Sequence, residues 1–167
     1  RRRRPGCCAA GDRVTPLSLT ITNFGPFKGT QVFDFPRAPG LYFMWGDNKE
    51  EPRLQANGAG KSKFWEALVW CIFGKTSRGL KAGDAANWEA GKGTEVRLGY
   101  TLTDGLPEFI IRTWGPNSWT HRDLFGNVTD LAKDSNKFMA DLRLEFLPFL
   151  TSVMMAQGEP LLLHLKS

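Results

Sequence analysis

Six consecutive residues, Asn57-Gly58-Ala59-Gly60-Lys61-Ser62, combine three small positions with one ammonium and one hydroxyl. That set suits a polyphosphate. Several backbone N–H groups must converge on such an anion from one turn, and side chains beyond Cβ at Gly58, Ala59 and Gly60 would block the approach. Lys61 then supplies a point charge for the β- and γ-oxygens, in a catalytic as well as a binding role, and Ser62 offers a hydroxyl to a Mg2+ ion. The cofactor this chemistry points to is a nucleoside triphosphate, taken as ATP with Mg2+. Asn57 and Lys63 flank the cradle and complete the binding stretch 57–63.

The pattern for such loops is G-x-x-x-x-G-K-[ST], and here Gln55 stands where its first glycine belongs. Gly46 is the candidate substitute, but it precedes Gly60 by fourteen residues rather than five. The intervening Asp47-Asn48-Lys49-Glu50-Glu51-Pro52-Arg53 is charged, contains a proline and has no apolar period, so it reads as a polar excursion between strand and loop. A chance glycine-rich turn is the competing explanation. Against it stand the apolar run at 40–46 before the loop and the apolar helical segment after it, the context a phosphate loop requires.

These elements have to sit in one domain, the expectation for 167 residues. Apolar content of 41% and charged content of 23% are ordinary for a globular chain, which removes disordered and fibrous classes. No apolar run is long enough to span a bilayer; 64–73 and 146–156 read as core elements. The net charge of +5 suggests nucleic acid until Arg1, Arg2, Arg3 and Arg4 are set aside, after which the chain is nearly neutral. Residues 1–16 read as a disordered basic leader or a reading-frame remnant, with a basic arm for phosphate backbones as the alternative. Three cysteines, one of them Cys71 inside an apolar helix, imply no disulfide framework and a reducing cytoplasm.

Residues 17–23 alternate apolar and polar, Gly25-Pro26 turns the chain, and 30–35 alternate again, predicting an antiparallel strand pair. Residues 41–45 are continuously apolar, as expected of a core strand covered on both faces. From Lys61 a helix apolar nearly all round, and therefore buried, runs to Gly74. Residues 75–92 read as a long surface loop. Residues 95–103 and 108–114 form strands joined by an Asp104-Gly105 hairpin turn, and 119–124 add a third, with Gly126-Asn127 as its turn. Ser135 is the expected cap of a helix reaching about residue 145, and 149–155 the expected late buried strand. His121 and His164 form no constellation and read as structural. The fold class is α/β: a P-loop NTPase lobe with an antiparallel β subdomain.

This order of elements resembles the N-terminal half of the ATP-binding-cassette head of SMC-type proteins, and specifically the SbcC-like large subunit of bacterial and phage recombination nuclease complexes. The likeness is carried by L-S-L-T-I-T-N-F-G-P-F at 17–27, the loop N-G-A-G-K-S with F-W-E-A-L-V-W-C-I-F-G-K-T behind it, the hairpin with Val96, Ile110, Ile111 and Arg112, and V-M-M-A-Q-G-E at 153–159. Lys63 departs from it, since the family usually has Ser or Thr there. The resemblance implies that Asn23 and Lys28 lie near the nucleotide, and that Gln157 ligates Mg2+ or orients water and reports the γ-phosphate. It further implies a signature motif, an Asp-Glu pair and a switch histidine in a C-terminal half, none of which stands in 157–167. Residues 17–167 are thus expected to be the head's N-terminal half, truncated after the Q-loop. Hydrolysis would require the other half and a second head. The implied partners are that second copy, an SbcD-like nuclease subunit and double-stranded DNA, with no membrane. A different P-loop enzyme, such as a nucleotide kinase, and a non-hydrolysing binding module remain the alternatives.

Overall fold

The computed structural model describes residues 14–38, 40–46, 53, 60–79 and 82–150. Strand β1 (Thr15–Phe24) buries Leu19 and Ile21 and leaves Ser18, Thr20 and Thr22 partly open, the period of two expected from its sequence. After the Gly25-Pro26 turn, β2 (Phe27–Asp34) pairs antiparallel with it, Phe24 opposite Phe27, so the pair starts three residues earlier than the alternation at 30–35 indicates. On the other side of β1 lies β3 (Thr94–Thr101), which aligns Leu98 with Leu19 and Val96 with Ile21. The Asp104-Gly105 turn, where the Gly105 amide donates to the Leu102 carbonyl at 2.9 Å, leads into β4 (Pro107–Trp114). Strands β5 (Ser118–Arg122) and β6 (Val128–Asp130) complete a sheet ordered β2-β1-β3-β4-β5-β6, with every neighbouring pair antiparallel.

Helix α1 (Lys61–Phe73) lies on the face that carries Leu19, Ile21, Val96, Leu98 and Ile110. Its sequence is poor in strong helix formers, rich instead in aromatic and β-branched residues that each forfeit a few tenths of a kcal/mol. Packing decides. Phe64, Leu68, Val69, Trp70 and Ile72 are buried, and each such side chain removed from water contributes roughly 1.5–3 kcal/mol. Cys71 is fully enclosed: its thiol donates toward the carbonyls of Val96 (3.3 Å) and Ile110 (3.5 Å), and burial pushes its pKa up to about 12.

Both ends of α1 are fixed by particular groups. At the C-terminal end Gly74 takes the left-handed conformation (φ 74°) and its amide donates to the Trp70 carbonyl at 2.8 Å. The Arg112 guanidinium, from the middle of β4, donates through Nε to the Cys71 carbonyl (3.0 Å) and through Nη2 to that of Ile72 (3.3 Å). It also stacks 4.3 Å from the Trp119 ring centre. Burial lowers its pKa to about 10, which still leaves it cationic at neutral pH, where it complements the negative helix end.

The sheet also carries a polar cluster of three side chains. Glu108 Oε2 accepts from the Tyr100 hydroxyl at 2.9 Å and lies 3.0 Å from His121 Nε2. Burial pushes the Glu108 carboxyl up, but the hydrogen bonds from His121 and Tyr100 outweigh it and hold its pKa below the ordinary value. His121, read from the sequence as structural, is buried, with Phe138 beside it at 5.7 Å. His164 lies outside the described residues.

Several expectations are corrected. Residues 41–46 form no strand, and Leu41, Phe43 and Trp45 are exposed. A doubly covered strand needs a hydrogen-bonding neighbour and two apolar layers, and the described residues supply neither to this segment. The sheet is therefore built without it. The described residues of 75–92 are more than a surface loop: they include the short α2 (Ala82–Ala85) and the buried Thr76 and Asn87, while Ser77 donates its amide (2.9 Å) and its hydroxyl to Glu66 of α1. Helix α3 (Leu131–Asp141) is capped by Asp130, whose carboxylate accepts from the Ala132 amide at 3.0 Å, not by Ser135. It stops short of residue 145. Its backbone departs from helical at Asp134 (φ −123°, ψ 29°), one residue before the serine expected to open it. Phe149 and Leu150 are not extended: they continue the helical turn of α4 (Phe146–Pro148), the Phe149 amide donating to the Glu145 carbonyl at 2.9 Å. The remainder of that expected strand, 151–155, lies outside the described residues.

Two outcomes check this description. A Cβ at position 74 would lie 2.8 Å from Arg112 Nη1, so Gly74→Ala should lower stability by more than the roughly 1 kcal/mol of a left-handed alanine. Gly74→Asn, although tolerant of that conformation, should fail to restore it in a denaturant titration, because its Cβ meets the same guanidinium. Glu108, whose folded pKa is depressed, stabilises the fold above its unfolded value near about 4.3 and loses that contribution as pH falls through the folded value. Thermal melts of Glu108→Gln should therefore show a shallower loss of stability below about pH 4.5 than the unsubstituted chain.

Candidate phosphate-binding site

Gly60 opens α1 in the left-handed conformation (φ 86°, ψ 2°), and its carbonyl accepts the first helical bond from the Phe64 amide at 2.9 Å. The amides of Lys61, Ser62 and Lys63 fall in the turn where a helix offers no internal acceptor. No side chain caps this end, and its first turn carries no acidic residue but two lysines. Partial positive charge from the aligned peptides thus stands beside two ammonium-bearing side chains, a combination that suits an anion. Ser62 is exposed, and Lys61 and Lys63 are half-buried.

The β1–β2 turn lies against this first turn of helix. A Cβ on Gly60 would stand 3.0 Å from Phe27 Cζ and 3.7 Å from Pro26 Cγ, and one on Gly25 would stand 3.5 Å from Lys63 Cδ. Gly25, Pro26 and Phe27 of N-F-G-P-F therefore meet the start of α1 directly. Asn57, Gly58, Ala59 and Gln157 lie outside the described residues, as do Gln55 and most of the 47–55 insertion.

Asn23 sits at the head of the turn with φ 50°. Its Oδ1 accepts from the Gly29 amide (2.9 Å) and its Nδ2 donates to the Gly93 carbonyl (3.4 Å). Its own carbonyl accepts from the Asn87 amide (2.8 Å) and the Thr94 hydroxyl (2.9 Å). Lys28 Nζ donates to Glu89 Oε2 at 2.6 Å, a bond that raises the lysine's pKa. The two side chains that the resemblance puts near a nucleotide are thus tied to the segment 85–94, which clasps the turn from outside. Sequence reasoning passed over Asn87, the buried centre of that clasp. Its one signal was an asparagine among Gly and Ala in a stretch otherwise too polar to be core.

With the helix start, the turn beside it and the antiparallel sheet established, comparison with known proteins gives the class. The AAA domain family matches residues 18–105, more than half of the chain, and the chain belongs to that family. It is an ATPase-type domain of mixed α/β fold. The SbcC component of the SbcCD nuclease of Vibrio cholerae is 30% identical over 101 residues, covering 59% of this chain and 8% of that protein. The corresponding SbcC component from Treponema pallidum is 29% identical over 62 residues, covering 37% and 5%. The chain thus spans less than a tenth of the length of these relatives, and its likeness to SbcC-type proteins, read from its motifs, is borne out. A solved structure of the recombination mediator protein RecF-ATP of the RecFOR pathway matches with a TM-score of 0.48 at 20% identity, covering 70% of this chain and 26% of its own. Among the described residues no helix is long and apolar enough to cross a membrane.

The contact between Gly60 and Phe27 is open to a double-mutant test. Gly60→Ala should cost more than the roughly 1 kcal/mol of its left-handed backbone, and in a Phe27→Ala background the extra part should disappear. Urea denaturation of the four proteins measures it; equal costs in both backgrounds would mean that the contact contributes nothing.

Proposed function

We propose that residues 57–63 hold the phosphates of ATP, and that this chain is the ATP-binding half of an SbcC-like ATPase acting in DNA double-strand-break repair or recombination. The observation that carries the reading is the first turn of α1: a left-handed glycine, no side-chain cap, no acid, and Lys61 and Lys63 on the same turn. A helix start favours an anion, and a triphosphate reaches several of its amides at once. Lys61 neutralises β- and γ-oxygens; Asn57, Gly58, Ala59 and Gly60 supply the amide cradle; Lys63 and Asn23 line its flank. Ser62, whose exposed hydroxyl stands one position into the helix, fits a Mg2+ ligand, with Gln157 as the second. The metal, when bound, screens the charge that develops between the phosphates.

Family membership and the SbcC-type relatives support the repair role, which in this reading couples ATP binding to a second head, double-stranded DNA and a separate SbcD-like nuclease subunit. The all-antiparallel pairing of the described sheet favours it over a nucleotide kinase, whose strands would alternate with helices in parallel order. Hydrolysis in this reading awaits the remaining half of the head.

Titration of the purified chain with a fluorescent ATP analogue tests the reading. Lys61→Ala should weaken binding at least tenfold, on the order of one charge-assisted hydrogen bond, and EDTA should weaken it further. Turnover should be absent until the complementary part of an SbcC-like head is added. Binding that is indifferent to Lys61→Ala would end the proposal.

A further inference from the structure

Asn87 is 4% exposed, and both its backbone and its carboxamide are engaged. Nδ2 donates to the Gly25 carbonyl (2.8 Å), and Oδ1 accepts from the amides of Glu89 (3.0 Å) and Ala90 (2.9 Å). Its backbone amide donates to the Asn23 carbonyl (2.8 Å), and its carbonyl accepts from the Gly91 amide (3.0 Å). Burying a primary amide costs desolvation that only full hydrogen bonding offsets, so the residue specifies one arrangement of the two segments it joins. Those segments are the 85–94 clasp and the β1–β2 turn. Nearby, the Gly25 amide donates to the Ala85 carbonyl (2.8 Å), and Phe24 and Ala86 form a bridge.

The far side of the same turn meets the helix start. Gly25 lies under the Lys63 stem, and Pro26 and Phe27 lie against Gly60. A path of close neighbours thus runs from the Asn87 carboxamide through its hydrogen bond to Gly25, along the turn to Phe27, and on to Gly60 and the Lys63 side chain. Thr94 is buried as well, but its hydroxyl goes to the Asn23 carbonyl, ahead of the turn. We propose that Asn87 is a positioning residue for phosphate binding: it sets the height of the Gly25-Pro26 turn, and with it the direction in which the first amides of α1 face the anion. The inference rests on the reading of that helix start as an ATP site.

Asn87→Asp isolates the function of the amide, because the remaining carboxylate oxygen keeps the bonds from Glu89 and Ala90 while the donor to Gly25 becomes an acceptor. Phe27→Leu perturbs the same path from its other end without touching Asn87. Each variant is titrated with the fluorescent ATP analogue beside the unsubstituted chain and Lys61→Ala, with melting temperature and the amide resonances of Gly60 and Lys61 recorded in ATP-free protein. Asn87→Asp, folded at the temperature of the titration, is expected to lose roughly tenfold in affinity, the size of one buried hydrogen bond, and to displace both resonances. Phe27→Leu is expected to shift both readouts in the same direction. A folded Asn87→Asp with unchanged affinity and unmoved resonances overturns the inference. If Asn87→Asp does not fold, a folded Phe27→Leu with unchanged affinity and resonances overturns it equally. Lys61→Ala that binds like the unsubstituted chain overturns the ATP reading itself, an outcome distinct from either.

Discussion

Helix α1 is apolar around nearly its whole circumference, so it is held by what covers it and not by its own propensity. That requirement organises the molecule. The inner faces of β1, β3 and β4 supply most of the cover, and Arg112 reaches out of β4 to satisfy two carbonyls at the helix end. Because the covering residues lie at fixed register positions, Leu19 beside Leu98 and Leu98 beside Ile110, the axis of α1 has little freedom to slide along the sheet. A slip of one residue in any of these strands would turn its apolar set toward solvent.

The same requirement delivers the other end of the helix to a defined place. Its first turn emerges beside the β1–β2 hairpin, where Gly60 can approach Phe27 closely only because it has no Cβ. Phosphate sites at helix starts depend on a few amides pointing one way, which makes them sensitive to the angle of the helix rather than to many side-chain contacts. Here the first turn of the helix has neighbours on two sides, the core beneath it and a turn that the 85–94 segment clasps. Polar residues do most of the clasping, which holds the turn without extending the apolar core to the helix start.

Much of this was legible in the chain. The hairpins announced themselves through two-residue periodicity and Asp104-Gly105, and α1 through its apolar content and Gly74, because local rules and tertiary packing agree there. Where they disagree, the reading failed. Residues 41–45 look like a buried strand, but burial is a property of neighbours, and the described residues place none beside Leu41, Phe43 or Trp45 that would cover them. The start of α3 was read at Ser135, whereas the helix follows directly on β6, whose last residue Asp130 is its cap. Gly60, Lys61 and Ser62 were legible as a pattern, whereas the support beneath them was not, since an asparagine that bonds a glycine carbonyl 62 positions away leaves no periodic trace.

The burial of Cys71 has a practical corollary. Only a thiolate attacks alkylating reagents, and burial pushes the Cys71 thiol far above the ordinary range, so that it is almost wholly protonated at neutral pH. Enclosure by two strands removes even the remaining thiolate from contact with a maleimide. Once Cys7 and Cys8 are replaced, the rate at which such a reagent modifies the chain becomes a clock for the lifting of the helix from its sheet, readable by mass alone in a mixture where no optical probe would distinguish one protein from another.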